Sequence, residues 1–237
     1  MLAVAGMPAA SRSRALLVAA ALAFLALPVS SPAGFFFEAP SPWLDSRPIE
    51  DQLEIVVRER ELLAIDAWSH VVTTAELERD EDVLYAEVRG RIALAITDRR
   101  LLAAVPGSSA WAEREIEVSE AVPDVVALGD RVALVATDRH VFGFEGISGT
   151  WSVAGLHPRE SVLRADAGTN VAVAVTRTRV FGEAAARGGL FEQELGIREE
   201  ATSLRVHGSF ATVATKRRIL TFRAPDGVWQ STDLSLR

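Results

Sequence analysis

The sequence of 237 residues predicts an all-β protein, a β-propeller of about five four-stranded blades. Three columns of residues, recurring every 38 to 40 positions, carry the prediction. The first is an anchor column of Thr97, Thr137, Thr176 and Thr215, with Arg58 at that place in a more diverged first copy. The second is glycine: Gly90, Gly129, Gly168 and Gly208. The third is aromatic, with Trp111, Trp151, Phe191 and Trp229 lying 14 or 15 residues after the anchor, and Trp68 less well placed in the first copy. A period near 40 is the length of one propeller blade, whereas leucine-rich repeats are much shorter and helical repeats need a 3.6-residue pattern that is missing here.

Within each repeat the residues describe four short strands. The first is a run of small apolar residues, as in ALVAT from Ala133 and AVAVT from Ala172, the pattern of a strand buried on both faces. A tight polar turn leads to the second, HVFGFE or RILTFR, which alternates in part. The third starts at the aromatic residue and alternates more clearly, and the fourth (DVVALG, SVLRADAG) runs to the glycine.

The last copy ends after its third strand. Residues from Trp43 to Pro48, just ahead of the first copy, stand in the phase of a fourth strand, so an N-terminal strand is expected to close the last blade and cover its edge. Ahead of it, residues 34–42 read as a linker, giving a propeller domain of 43–237. Residues 1–33 read as a signal peptide. Arg12 and Arg14 precede an uncharged stretch, Ala15 to Val29, and Ser31 and Ala33 have the small-residue spacing of a cleavage site. An uncleaved membrane anchor is the alternative, since no charge appears between Ala15 and Phe37. Both readings place the propeller outside the cytoplasm, periplasmic or secreted.

The run from Ala133 to Trp151, ALVATDRHVFGF followed by GTW, resembles the blade motif of quinoprotein-type (PQQ-like) propeller repeats. The likeness extends at motif level over most of 53–237. The vicinal cysteines and the ion-site pattern of the enzymes of that group are absent, so the resemblance implies the fold and no activity.

Composition narrows the function. Net charge is −7, and setting aside Arg12 and Arg14 leaves 23 basic against 32 acidic residues, or −9. That balance argues against nucleic acid as a partner. There is no cysteine, which excludes disulfides, thiol catalysis and cysteine metal sites. Nucleophile-elbow, zinc-protease, phosphate-loop and EF-hand motifs are all missing, so no catalytic residue, metal ligand or cofactor is assigned. The four histidines, His70, His140, His157 and His207, occupy different phases of the repeat and read as solvated loop residues. The acidic residues between strands three and four, Glu78, Asp80, Glu81, Asp82, Glu199 and Glu200, likewise read as solvated.

The turn between the first two strands is basic in every copy. It contributes Arg58 and Arg60; Arg99 and Arg100; Arg139; Arg177 and Arg179; and Lys216, Arg217 and Arg218, ten of the 23 bases. These are the candidate binding residues, for an acidic peptide or other anionic partner. The competing explanation is that each is paired with an acid of a neighbouring blade. The aromatic column also has two readings, packing between blades or one sugar-stacking platform per blade. The expected function is a non-catalytic extracytoplasmic binding or scaffold module. A glycan-binding lectin is the alternative, and a polysaccharide hydrolase or lyase using channel carboxylates the third possibility.

Overall fold

The computed structural model describes residues 47–234, and these form five antiparallel sheets without a helix. The first sheet has three strands, β1 (Leu53–Val57), β2 (Glu61–Asp66) and β3 (Val72–Glu76). The second runs β4 (Val83–Arg89), β5 (Ile92–Thr97), β6 (Arg100–Ala104) and β7 (Ala112–Glu115). The third holds β8 (Val125–Leu128), β9 (Val132–Ala136), β10 (His140–Glu145) and β11 (Thr150–Gly155). The fourth holds β12 (Arg164–Ala167), β13 (Val171–Val175), β14 (Arg179–Ala184) and β15 (Leu190–Glu194). The fifth holds β16 (Ala201–Val206), β17 (Phe210–Thr215), β18 (Arg218–Arg223) and β19 (Val228–Asp233). Strands are in chain order in every sheet, an up-and-down meander, and the fold is the all-β propeller that the repeat predicts.

The sheet boundary falls before the fourth strand of each repeat. That strand pairs forward, with the first strand of the next copy: β4 with β5, β8 with β9, β12 with β13, β16 with β17. The fifth sheet therefore has four strands within 201–233, and the three-stranded sheet among the described residues is the first. The closing strand expected at Trp43–Asp45, the 34–42 linker and the 1–33 leader lie outside the described residues.

The core explains why the first strand of each repeat is continuously apolar. Four hydrophobic clusters lie between consecutive sheets, and β5, β9 and β13 each contribute to two of them. In β13, Val171, Val173 and Val175 face the fifth sheet while Ala172 and Ala174 face the third. In β5, Ile92, Leu94 and Ile96 face the third sheet and Ala93 and Ala95 the first. Large side chains on one face and alanines on the other let sheets stack without voids. The aromatic column belongs to the same packing. The indole N–H of Trp111 donates to Thr73 O at 3.1 Å, that of Trp151 to Ala112 O at 3.0 Å and that of Trp229 to Phe191 O at 2.9 Å. Each ties its sheet to the preceding one. Trp68, the misplaced member, is 78% exposed.

The glycine column has a steric cause. A Cβ on Gly129 would collide with the carbonyl oxygen of Gly168, and one on Gly168 with that of His207. The turns from successive repeats touch backbone to backbone there. Arg91 N–H donates to Asp130 O, Arg131 N–H to Thr169 O and Asn170 N–H to Gly208 O.

Candidate functional site

The turn between the first and second strands is built by its threonine. In four repeats the threonine Oγ1 accepts backbone N–H groups from two and three residues ahead: Arg99 and Arg100 to Thr97, Arg139 and His140 to Thr137, Thr178 and Arg179 to Thr176, Arg217 and Arg218 to Thr215. A side chain closing its own turn in this way is why the position holds threonine.

The same hydroxyl donates to a buried glutamate from the connection preceding the sheet. Thr176 Oγ1 lies 2.6 Å from Glu160 and Thr215 Oγ1 2.8 Å from Glu199, and Thr137 bonds Glu120 likewise. Each glutamate also closes its own turn, accepting the N–H three residues back: Glu78 to Glu81, Glu117 to Glu120, His157 to Glu160, Gly196 to Glu199. Into each glutamate reaches the residue three after the threonine. Arg100 meets Glu81 at 2.8 Å, Arg179 meets Glu160 at 2.5 Å and Arg218 meets Glu199 at 2.8 Å. In the third sheet His140 Nδ1 takes that place, 2.9 Å from Glu120. The arginines also donate back to the sheet before, to Glu76 O, Gly155 O and Glu194 O. One arginine thus joins two sheets and their connection.

These clamps correct two expectations. Glu81 and Glu199 are not solvated loop charges: they are buried, as is Glu120, and the side chain of Glu160 is only 3% exposed. His140 is likewise a clamp residue, half-buried beside Glu120. Electrostatics agree. The Arg218 hydrogen bond leads in holding Glu199 down to about 2, against burial. For Glu160 burial is the largest influence and pushes upward, but Arg179, Thr176 and the His157 N–H together outweigh it and hold the carboxyl at about 2. A fourth column was available in the sequence, since Glu81, Glu120, Glu160 and Glu199 repeat at 39, 40 and 39.

The ten candidate binding residues therefore divide. Arg100, Arg179 and Arg218 are clamp residues. Arg99 pairs with Glu78 at 2.7 Å, and Arg139 and Arg58 make 3.7 Å pairs with Glu117 and Glu61. Among the described residues no ion pair involves Arg60, Arg177, Lys216 or Arg217, and all four are exposed. Three of these four belong to the fourth and fifth sheets. Arg177 also lines a cleft of about 570 Å³, together with His157, Arg159, Thr178 and the Arg179–Glu160 clamp. Its one further acid is Glu194. What the arrangement can do chemically is hold negative charge without disturbing the fold.

No family model matches the chain, and no curated protein matches it. Solved structures similar to it are propellers of low likeness. A structure of Kap60 bound to yeast RCC1 (Prp20) matches with a TM-score of 0.38 and 9% identity over 74% of this chain and 55% of that one. PorZ, a surface component of the type-IX secretion system of Porphyromonas gingivalis, matches with a TM-score of 0.36 and 12% identity over 78% of this chain and 27% of that one. Hsv2p of Kluyveromyces lactis matches with a TM-score of 0.37 and 12% identity over 74% and 59%. The chain spans about half or less of the length of the first two.

Proposed function

We propose that the chain is a non-catalytic, extracytoplasmic binding or scaffold module that docks an acidic or anionic partner on the basic turns of its fourth and fifth sheets. One observation carries the reading. Arg177, Lys216 and Arg217 are exposed and outside every ion pair among the described residues, while Arg179 and Arg218, two residues and one residue away, are locked onto buried glutamates. Each turn thus separates a structural cation from one left to solvent. Uncompensated like charges on an acidic protein favour an anionic partner and steer its approach. The leader reading, from Arg12, Arg14 and the apolar stretch after them, supports export.

The test is calorimetric titration with a ten-residue poly-glutamate peptide. With a body charge of −9, the whole molecule repels this peptide, so binding reports the local patch. The expected result is binding at 50 mM salt that weakens about tenfold or more at 500 mM, as screening requires. It is lost in R177E/K216E/R217E. Equal binding by that triple variant, or no binding by the wild type, overturns the proposal.

A further inference from the structure

A second cleft, of about 650 Å³, opens at the opposite ends of the strands, between the β10–β11 turn and the β14–β15 turn. Its wall includes Ser148, Thr150, Trp151, Ser152 and Gly189. Behind it lies Glu183 of β14, with no exposed surface. The corresponding position is Ile65, Ala104, Phe144 and Phe222 in the other four repeats, so an acid has replaced an apolar core residue in one copy. Room has been made for it: a Cβ on Gly143 would collide with Glu183 Oε2. Among the described residues no ion pair involves the carboxyl. Its oxygens accept Ser152 Oγ–H at 2.9 Å and Gly189 N–H at 3.1 Å. A buried carboxylate without a counter-charge is costly, and such groups mark sites.

The hydroxyls decide which ligand fits. Ser152 directs its proton inward, with Glu183 at 2.9 Å and Gly143 O at 3.3 Å as acceptors. Ser148 directs its proton to Glu145, a second buried carboxylate, which also accepts the N–H groups of Ile147 and Ser148. Thr150 Oγ1 is 2.9 Å from Ser148 Oγ. With their protons drawn inward, Ser148 and Ser152 present lone pairs to the cleft. A wall of acceptors backed by two carboxylates suits a donor-only cation and rejects an anion. The ring of Trp151, tilted against Phe144 at 4.9 Å, lines the same space and favours positive charge. A metal ion fits less well, because no group of three His, Asp or Glu ligands gathers among the described residues.

We propose that this cleft is a subsite for a primary ammonium group, which hydrogen-bonds to Ser152 and the Ser148–Thr150 pair and is held by the buried charge of Glu183 acting through Ser152. The ligand is an amine, free or on a lysine side chain. The charged groups facing the site are Glu183 from β14, Glu145 from β10 and Arg187 from the β14–β15 turn, whose Nε is engaged with Pro225 O. Burial, reinforced by Glu145 and opposed by Ser152 and Gly189, pushes the Glu183 carboxyl up to about 7. Ammonium binding should therefore strengthen as pH rises through neutrality and Glu183 loses its proton.

Calorimetric titration of the full chain with cadaverine tests the site. 1,5-Pentanediol serves as the uncharged control and acetyl-Gly-Lys-Gly-amide as the lysine source. At pH 8 cadaverine is expected to bind and pentanediol not. Affinity should fall about tenfold or more at pH 5.5, and E183Q should lower it about tenfold at pH 8 without lowering the melting temperature. Tripeptide binding at least as tight as cadaverine assigns a lysine side chain as the ligand, and weaker tripeptide binding a free amine. Should E183Q fail to fold, S152A carries the same expectation. Equal affinity for pentanediol, unchanged affinity in the folded variant, or no cadaverine binding overturns the proposal. None of these outcomes bears on the basic turns, which lie at the other ends of the strands.

Discussion

Glu183 shows how a single residue sets a property of the molecule. Its carboxyl is raised to about 7 by burial first, with Glu145 adding and Ser152 and Gly189 subtracting. A raised folded value means that protonated Glu183 suits the fold. Its contribution is fully present below the unfolded value of about 4.5 and is lost as pH rises through 7. That window corresponds to roughly 3 kcal/mol. Urea unfolding at pH 5 and pH 8 is expected to show the wild type losing stability across the interval and E183Q losing much less. Superimposable pH profiles for the two proteins would contradict the account. The departure was visible in the sequence, because FGEA stands where the sibling copies have FGFE and LTFR. Its burial was not visible, since nothing in the local sequence says that Gly143 of another sheet leaves the space.

At the level of elements, the clamp is the repeating unit of cohesion, joining a connection, a turn and the strand behind it. Glu160 and Glu199, held at about 2, give stability that is complete above about 4.5 and disappears as pH falls through 2. Acid unfolding of the wild type should therefore be steep in that interval and shallower in E160Q/E199Q, which starts from lower stability at pH 7. Thr176→Val and Thr215→Val remove the hydroxyl that closes the turn and satisfies the glutamate, with an expected cost of about 1–3 kcal/mol each, read by thermal denaturation. If both variants melt with the wild type, the threonine column is not structural. The strand pattern and the threonine, glycine and aromatic columns were legible from the sequence because each marks a need that recurs in every repeat: a buried strand, a closed turn, a backbone contact between successive turns, an indole bond to the preceding sheet. The pairing of the fourth strand with the next copy was not. A 40-residue period is the same wherever its boundaries are drawn, and only the hydrogen-bond ladder locates them. Arg99 and Arg100 also could not be told apart by composition; the buried glutamate 19 residues earlier makes the second structural.

Across the whole molecule, the two ends of the strands differ in chemistry. One end carries the clamps with exposed cations between them, and the other carries a cleft of acceptors over buried carboxylates. The proposed roles follow from that division, anion docking on one side and ammonium binding on the other. The measurement that tests the division most directly compares two double variants for melting temperature and poly-glutamate binding. R177E/R217E changes cations that sit in solvent, and R179M/R218M changes their neighbours in the clamps. The first is expected to melt within a few degrees of the wild type and to lose the peptide. The second leaves two buried glutamates uncompensated, at about 3–5 kcal/mol each, and should melt far lower or fail to fold. If R177E/R217E is as destabilised as R179M/R218M, or if it still binds the peptide, the separation of structural from docking cations is wrong.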